Sequence, residues 1–227
     1  GILETKVGGA DCVISQTGFT GEKGYEIYVR DAHENAEKMW NAVLEAGEEF
    51  GLMVIAPAHH RRIAAGILSW GQDLDHETSP FQVNLSYQVP RNKAADYIGK
   101  EELEKQRAMM DEGKAPLKMK MVGLTLGGKE ITDYAPDFWI VTNTDGDEVG
   151  YVTSPWWSPE LETNIALAWV PWEASEVGTK YMVKLPDEYA ESPGVAVNAE
   201  IVDVPFRESV NPNKREVQAA KGLDFAD

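Results

Sequence analysis

Between Lys118 and Val202 the chain is written in short alternating stretches separated by turn residues, and this pattern constrains the fold more than any other feature. The stretches are Lys118 to Leu126, Phe138 to Thr142, Val149 to Thr153, Asn164 to Val170, Lys180 to Lys184 and Val195 to Val202. Alternation sends successive side chains to opposite faces, the signature of strands with one face buried. Gly127-Gly128 and Asp145-Gly146 suit the tight connections between them. Strands at this spacing, with almost no helical period among them, predict a small β-barrel or sandwich.

The sequence before Pro116 is organised differently. Ile2 to Val7 and Cys12 to Ser15 read as a hairpin turned at Gly8-Gly9-Ala10-Asp11. Asp31 with Glu34 three residues on is the signature of a helix start, and Ala36, Met39, Trp40, Val43 and Leu44 recur at helical spacing, a stripe expected to be core. Gly47 or Gly51 is expected to end that helix. Pro57 suits the start of a second helix and Gly66 its end. Asn84 to Val89 reads as a strand, and Glu101 to about Met110 as a charged helix. Asp-Glu-Gly-Lys-Ala-Pro at 111–116 reads as a linker. The expected class is therefore α+β: a partial antiparallel-sheet and helix region over 1–110, the linker at 111–116, a small all-β barrel over 117–207 and a polar tail over 208–227.

The stretch from Ser15 to Val29 carries the strongest hint of chemistry. Gly18, Gly21 and Gly24 punctuate its first half, so it reads as a turn into a strand. Its second half alternates, with Tyr25, Ile27 and Val29 on one face and Glu26, Tyr28 and Arg30 on the other. Glu26 is then either a fixed carboxylate for an N–H-rich ligand or an exposed glutamate on an ordinary hairpin.

Composition narrows the partners. The formal net charge of −17 over 227 residues argues against nucleic acid or an anionic membrane surface. Cys12 is the single cysteine, which excludes an internal disulfide framework and fits a reducing, cytoplasmic compartment. No run of about 18 apolar residues is present to span a membrane. The chain begins Gly1-Ile2-Leu3 directly in strand-like sequence, as expected of the middle of a larger protein or of a processed chain.

Other groups carry weaker signals. His59 and His60 are adjacent, about 100° apart on a helix, which does not suit one metal ion, so no metal is expected. Asp73, Asp75 and Glu77 resemble the start of a calcium loop but lack its glycine and later glutamate, so solvated or capping acids are expected. Arg61-Arg62 is a compact positive patch, able to receive a carboxylate tail or to pair with Asp73 or Asp75. Trp156-Trp157 lies between two prolines and reads as an aromatic loop that covers a pocket or packs the barrel on its neighbour.

Three of these pieces, in order, resemble the glycine-cleavage T-protein (aminomethyltransferase) family. Thr-Gly-Phe-Thr-Gly-Glu-Lys-Gly-Tyr-Glu-Ile at 17–27 is similar to the family's T-G-Y-T-G-E-x-G-F-E. Gly71-Gln72-Asp73-Leu74-Asp75 through Thr78-Ser79-Pro80-Phe81, continuing to Tyr97-Ile98-Gly99-Lys100-Glu101-Glu102-Leu103, is similar to G-x-D-x-D…T-P and F-I-G-K-E-A-L. Val149-Gly150-Tyr151-Val152-Thr153-Ser154, with Ser158-Pro159 and Asn164-Ile165-Ala166-Leu167-Ala168, is similar to V-G-x-V-T-S…S-P…N-I-A-L-A.

The resemblance implies a tetrahydrofolate-dependent one-carbon transferase. It places the pterin-binding glutamate at Glu26 and an aromatic that packs on the ligand at Phe19. Tyr28, two residues on from Glu26, faces the same side and is expected to line the site. Arg61 or His59 is the substitute for the family's folate-associated arginine, Arg61 being the one set to meet the glutamate tail. A carboxylate accepting two parallel N–H bonds from a 2-aminopterin edge is chemically apt. At 57–66 the chain departs from the family: aligned through Gly66, Ala58 and His59 stand where the family has the arginine and acid of G-A-R-D. That departure favours the demethylase branch, which includes dimethylsulfoniopropionate demethylase, with methyl transfer from a small sulfonium or amine to folate. The alternatives are the aminomethyltransferase of glycine cleavage and a non-catalytic folate-binding relative. The latter carries a K-G-C-x-x-G-Q-E type motif that Cys12 lacks. Family members place a catalytic aspartate in a region before this segment. The expected partners are therefore a small-molecule substrate and the missing N-terminal segment or a chain that supplies it, with a homodimer also admitted.

Overall fold

The computed structural model describes residues 1–133, 135 and 137–207. The polar tail expected beyond Arg207 lies outside the described residues. The chain divides into two compact units, Gly1–Arg62 and a second that begins at Ile63. The mixed helix and sheet content and the closed barrel are those of the expected α+β class.

In the first unit, β1 (Ile2–Val7) pairs antiparallel with β2 (Ala10–Ser15), and β2 with β3 (Glu26–Val29), in the order β1-β2-β3. Gly8 and Gly9 make the hairpin turn at φ 56° and 82°, a conformation only glycine adopts without strain. Gly8 is also fixed by packing: a Cβ there would lie 2.6 Å from the Ala42 Cβ of helix α1 (Ala32–Gly47). The helix starts after Asp31, but not by the expected cap. Asp31 is left-handed at φ 48°, and its side chain makes no capping bond. The expected core stripe is also corrected, because α1 has no buried residue and Trp40 is exposed. Phe50, Leu52, Met53, Val54 and Ile55 are likewise exposed, so this unit presents apolar side chains over α1 and the segment after it.

Helix α2 (His59–Ala64) ends before Gly66, which is left-handed at φ 71°. Asn84 to Val89 is not the expected strand. Asn84 takes φ 60° and Ser86–Gln88 form a 3-10 turn. The segment instead docks on the barrel: Met121 N donates to Gln82 O at 2.8 Å, and Asn84 Nδ2 donates to Met121 O at 3.1 Å. Helix α3 (Lys100–Asp111) follows, with left-handed Gly99 before it.

Among the described residues, β4 (Met119–Leu126), β5 (Trp139–Thr142), β6 (Glu148–Ser158), β7 (Thr163–Pro171), β8 (Lys180–Val183) and β9 (Val197–Val202) close into a barrel in the order β4-β7-β6-β5-β8-β9. Val122, Leu124, Val141, Val152, Ala166 and Ala168 are among the side chains that fill its interior. Strand β7 is buried on both faces. Ala166, Ala168 and Val170 enter the barrel core, while Ile165, Leu167 and Trp169 pack with Ile63, Ala64 and Phe206 in a second cluster. That double burial explains its nearly unbroken apolar run, each large side chain contributing about 1.5–3 kcal/mol.

The expected loop at Trp156-Trp157 is instead the second half of β6. Beyond Val152 this strand pairs with β7 but not with β5, so Pro155, which has no N–H, sits where no ladder bond is needed on its other side. Trp156 packs against the second apolar cluster, the barrel-packing role of the two read from the sequence.

Candidate functional site

Glu26 opens β3 opposite Ser15 of β2, and its side chain is exposed. Period-two alternation brings Tyr28 to the same face, where its hydroxyl donates to Glu26 Oε2 at 3.1 Å. The Thr17 hydroxyl donates to the same oxygen. Two hydroxyls thus hold one carboxylate oxygen, while Oε1 has no hydrogen bond among the described residues and stands open to a donor. The hydrogen bond to Glu26, and then its charge, push the Tyr28 phenol above its ordinary value of 10.0.

Phe19 lies in the glycine-punctuated turn with half its surface exposed. The Arg62 guanidinium carbon stands 5.9 Å from the centroid of its ring. Arg61 meets Glu22 at 3.8 Å with both side chains about half exposed, a long contact of the kind that contributes little. The structure therefore joins Glu26, Tyr28 and Thr17 directly, pairs Phe19 with Arg62, and pairs Arg61 with Glu22. Thr17 opens the quoted motif, yet sequence reasoning did not single it out. The signal was available, since a hydroxyl two residues past β2 can reach across to the first residue of β3. Arg62 was noted only as part of a pair. It is 1% exposed, whereas Arg61 keeps 43% of its side chain in solvent.

The second unit holds a buried polar centre of its own. Asp73, expected to be a solvated or capping acid, is 1% exposed. Its Oδ1 accepts from the Thr153 and Ser154 hydroxyls, each at 2.6 Å, and its Oδ2 accepts from Ser69 N at 2.8 Å. The Trp169 indole N–H donates to its carbonyl at 3.0 Å. The Asp73 of the G-x-D-x-D stretch and the Thr153-Ser154 of the V-T-S stretch are thus two halves of one joint, which explains why these residue types occur together. Asp75 is exposed and closes a local turn rather than capping a helix, accepting from Glu77 N at 2.9 Å and Thr78 Oγ1 at 3.1 Å. Among the described residues, no group of three or more His, Cys, Asp and Glu side chains is placed to hold a metal ion, and no helix is long and apolar enough to cross a membrane.

Comparison with known proteins places these features in a family. Residues 1–93 match the GCVT N-terminal domain model, and residues 120–207 match the glycine cleavage T-protein C-terminal barrel domain. An aminomethyltransferase of Geobacillus sp. (strain WCH70) is 33% identical over 205 residues, covering 89% of this chain and 51% of the relative. One from Clostridium botulinum (strain Okra / Type B1) is 35% identical over 181 residues, covering 79% and 46%. The crystal structure of glycine cleavage system aminomethyltransferase T from Bartonella henselae shares the fold, with a TM-score of 0.63 and 22% identity over 86% of this chain and 49% of that one. The matched regions take in the greater part of the sequence, and the chain belongs to the glycine cleavage T-protein family. It spans about half the length of the curated relatives it matches.

Proposed function

We propose that this chain supplies the pterin-orienting side of a tetrahydrofolate-dependent aminomethyl transferase. The observation that carries the reading is the Glu26 carboxylate, with one oxygen held by Thr17 and Tyr28 and the other open on an exposed strand face. The two-amino edge of a pterin presents parallel N–H donors, and a carboxylate preset by two hydroxyls accepts them at little orientational cost. These residues fit that group. Glu26 takes the pterin edge, the half-exposed Phe19 and Tyr28 offer aromatic faces, and Arg61 exchanges its loose contact with Glu22 for a tail carboxylate. Bound tetrahydrofolate supplies the N5 amine that accepts the one-carbon unit. The work of this chain is orientation and exclusion of water, with the acid–base group that assists leaving carried elsewhere in the transferase.

The methyl-transfer reading drawn from the departure at 57–66 yields to aminomethyl transfer, because the relatives named above are aminomethyltransferases. The apolar side chains exposed over α1 and residues 50–55 are a surface for the remaining part of the family's length, whether on the same polypeptide or on another, since monomers rarely leave such a patch bare. A product assay separates the two chemistries. With the rest of the transferase present and a lipoyl carrier bearing an aminomethyl group, ammonia and methylene-tetrahydrofolate are expected. Methyl-tetrahydrofolate from a methylated sulfonium or amine, without ammonia, refutes the reading.

A further inference from the structure

We propose that Lys120, where β4 runs past the end of β9, is a reactive-lysine site that takes small activated acyl groups. β9 ends at Val202, paired with Gly123, and at that end lies a cleft of about 170 Å³ lined by Lys120, Asn84, Ser175, Val177 and Asp203, among others. Alternation along β4 puts Lys120 on the side of Val122 and Leu124, which enter the barrel core, so the lysine stands at the mouth of the barrel rather than on its outer wall.

Acidic residues outnumber basic ones 38 to 21 in this chain, yet no carboxylate among the described residues lies within ion-pair distance of the Lys120 amine. Its described contact is the face of Trp172, with Nζ 5.3 Å from the ring centroid. The charged groups around it are Asp203 on the same cleft and Lys118 and Glu173 beside Trp172, and neither carboxylate pairs with it. Burial holds the amine below its ordinary value of 10.5, so more of it is neutral and nucleophilic near neutral pH than for an exposed lysine. The cleft, of about 170 Å³, has room for an acetyl-sized group. In the step, the Nζ–C bond forms, the C–S bond of a thioester breaks, the thiolate leaves and the amine proton passes to water. The amide product loses the positive charge and the cation–π contact.

The test treats the folded chain with limiting S-acetyl-N-acetylcysteamine and follows each lysine by peptide mass spectrometry. Lys120 is expected to acetylate at least about threefold faster than the exposed Lys23 and Lys184 and to show a lower pH midpoint, as a desolvated amine should. In urea, where the cleft is gone, the preference is expected to vanish. Labelling no faster than at Lys184, an unchanged midpoint, or a preference that persists in urea would each overturn the proposal.

Discussion

A residue's neighbours decide what its charge or hydroxyl does, and Asp73 and Tyr28 show this from opposite ends of the exposure scale. Asp73 gathers Thr153, Ser154 and Ser69 around one buried carboxylate. Asp73→Ala removes the acceptor shared by two hydroxyls and an N–H, and the Thr153 hydroxyl keeps only Leu167 O at 3.2 Å, so a loss of about 2 kcal/mol or more is expected in denaturant unfolding. A loss under about 1 kcal/mol would show that water replaces the carboxylate. The sequence offered Asp73 only as one acid of an acid-x-acid run, and loop residues have no period that separates buried from solvated positions. Tyr28 donates to Glu26, so its protonated form is favoured in the fold and its ionisation is displaced upward from 10.0. The bond is intact below that range and is lost as pH rises through the raised value. Glu26→Ala should therefore let Tyr28 ionise earlier, seen as one phenol moving to lower pH in an absorbance titration. A titration curve that does not move contradicts the contact. This partnership was partly legible, because strand alternation put Glu26 and Tyr28 on one face. The role of Thr17 depended on the turn bringing it back across β3.

Elements were most legible where a two-residue period met turn residues. All six alternating stretches after Pro116 are barrel strands, with ends within two residues of those read from sequence except in β6, which runs on from Thr153 to Ser158. Errors arose where tertiary context outweighed local pattern. Pro155 argued for a loop, but it lies where β6 has left β5 and no donor is required of it. Asn84 to Val89 had strand-like composition, but left-handed Asn84 turns it so that Gln82 and Asn84 cap the edge of β4 that β9 does not reach. The stripe on α1 was read correctly as apolar and wrongly as core, since Met39, Val43 and Leu44 are only half-buried and Trp40 is exposed. Gly150 shows what close pairing demands. A Cβ there would stand 2.0 Å from the Trp169 carbonyl oxygen, so Gly150→Ala must push β6 off β7. A cost of about 2–3 kcal/mol is expected, lowering the melting midpoint by about 2–4 °C per kcal/mol in a chain of this size. A variant melting with the parent would mean the two strands are not held as described.

At the scale of the whole molecule, charge and exposed surface bear on the proposed binding of a folate. A net charge of −17 repels the carboxylates of a folate tail, so recognition has to be local and specific rather than a matter of long-range attraction. In the proposed reading the local elements are the open carboxylate oxygen of Glu26, offered to a neutral pterin edge, and Arg61, in a long contact with Glu22. The exposed apolar side chains of the first unit are, in the same proposal, the surface offered to the remaining part of the family's length. The sequence carried this much through motif resemblance. It did not carry that the Thr17 hydroxyl joins Tyr28 on the carboxylate, because that depends on a turn closing. The most direct test is calorimetric titration of tetrahydrofolate, with the rest of the transferase present, into the parent and into Glu26→Ala. Affinity is expected to fall at least tenfold, about 1.4 kcal/mol. Unchanged affinity would contradict the role given to Glu26 and, with it, the proposed orientation of the pterin.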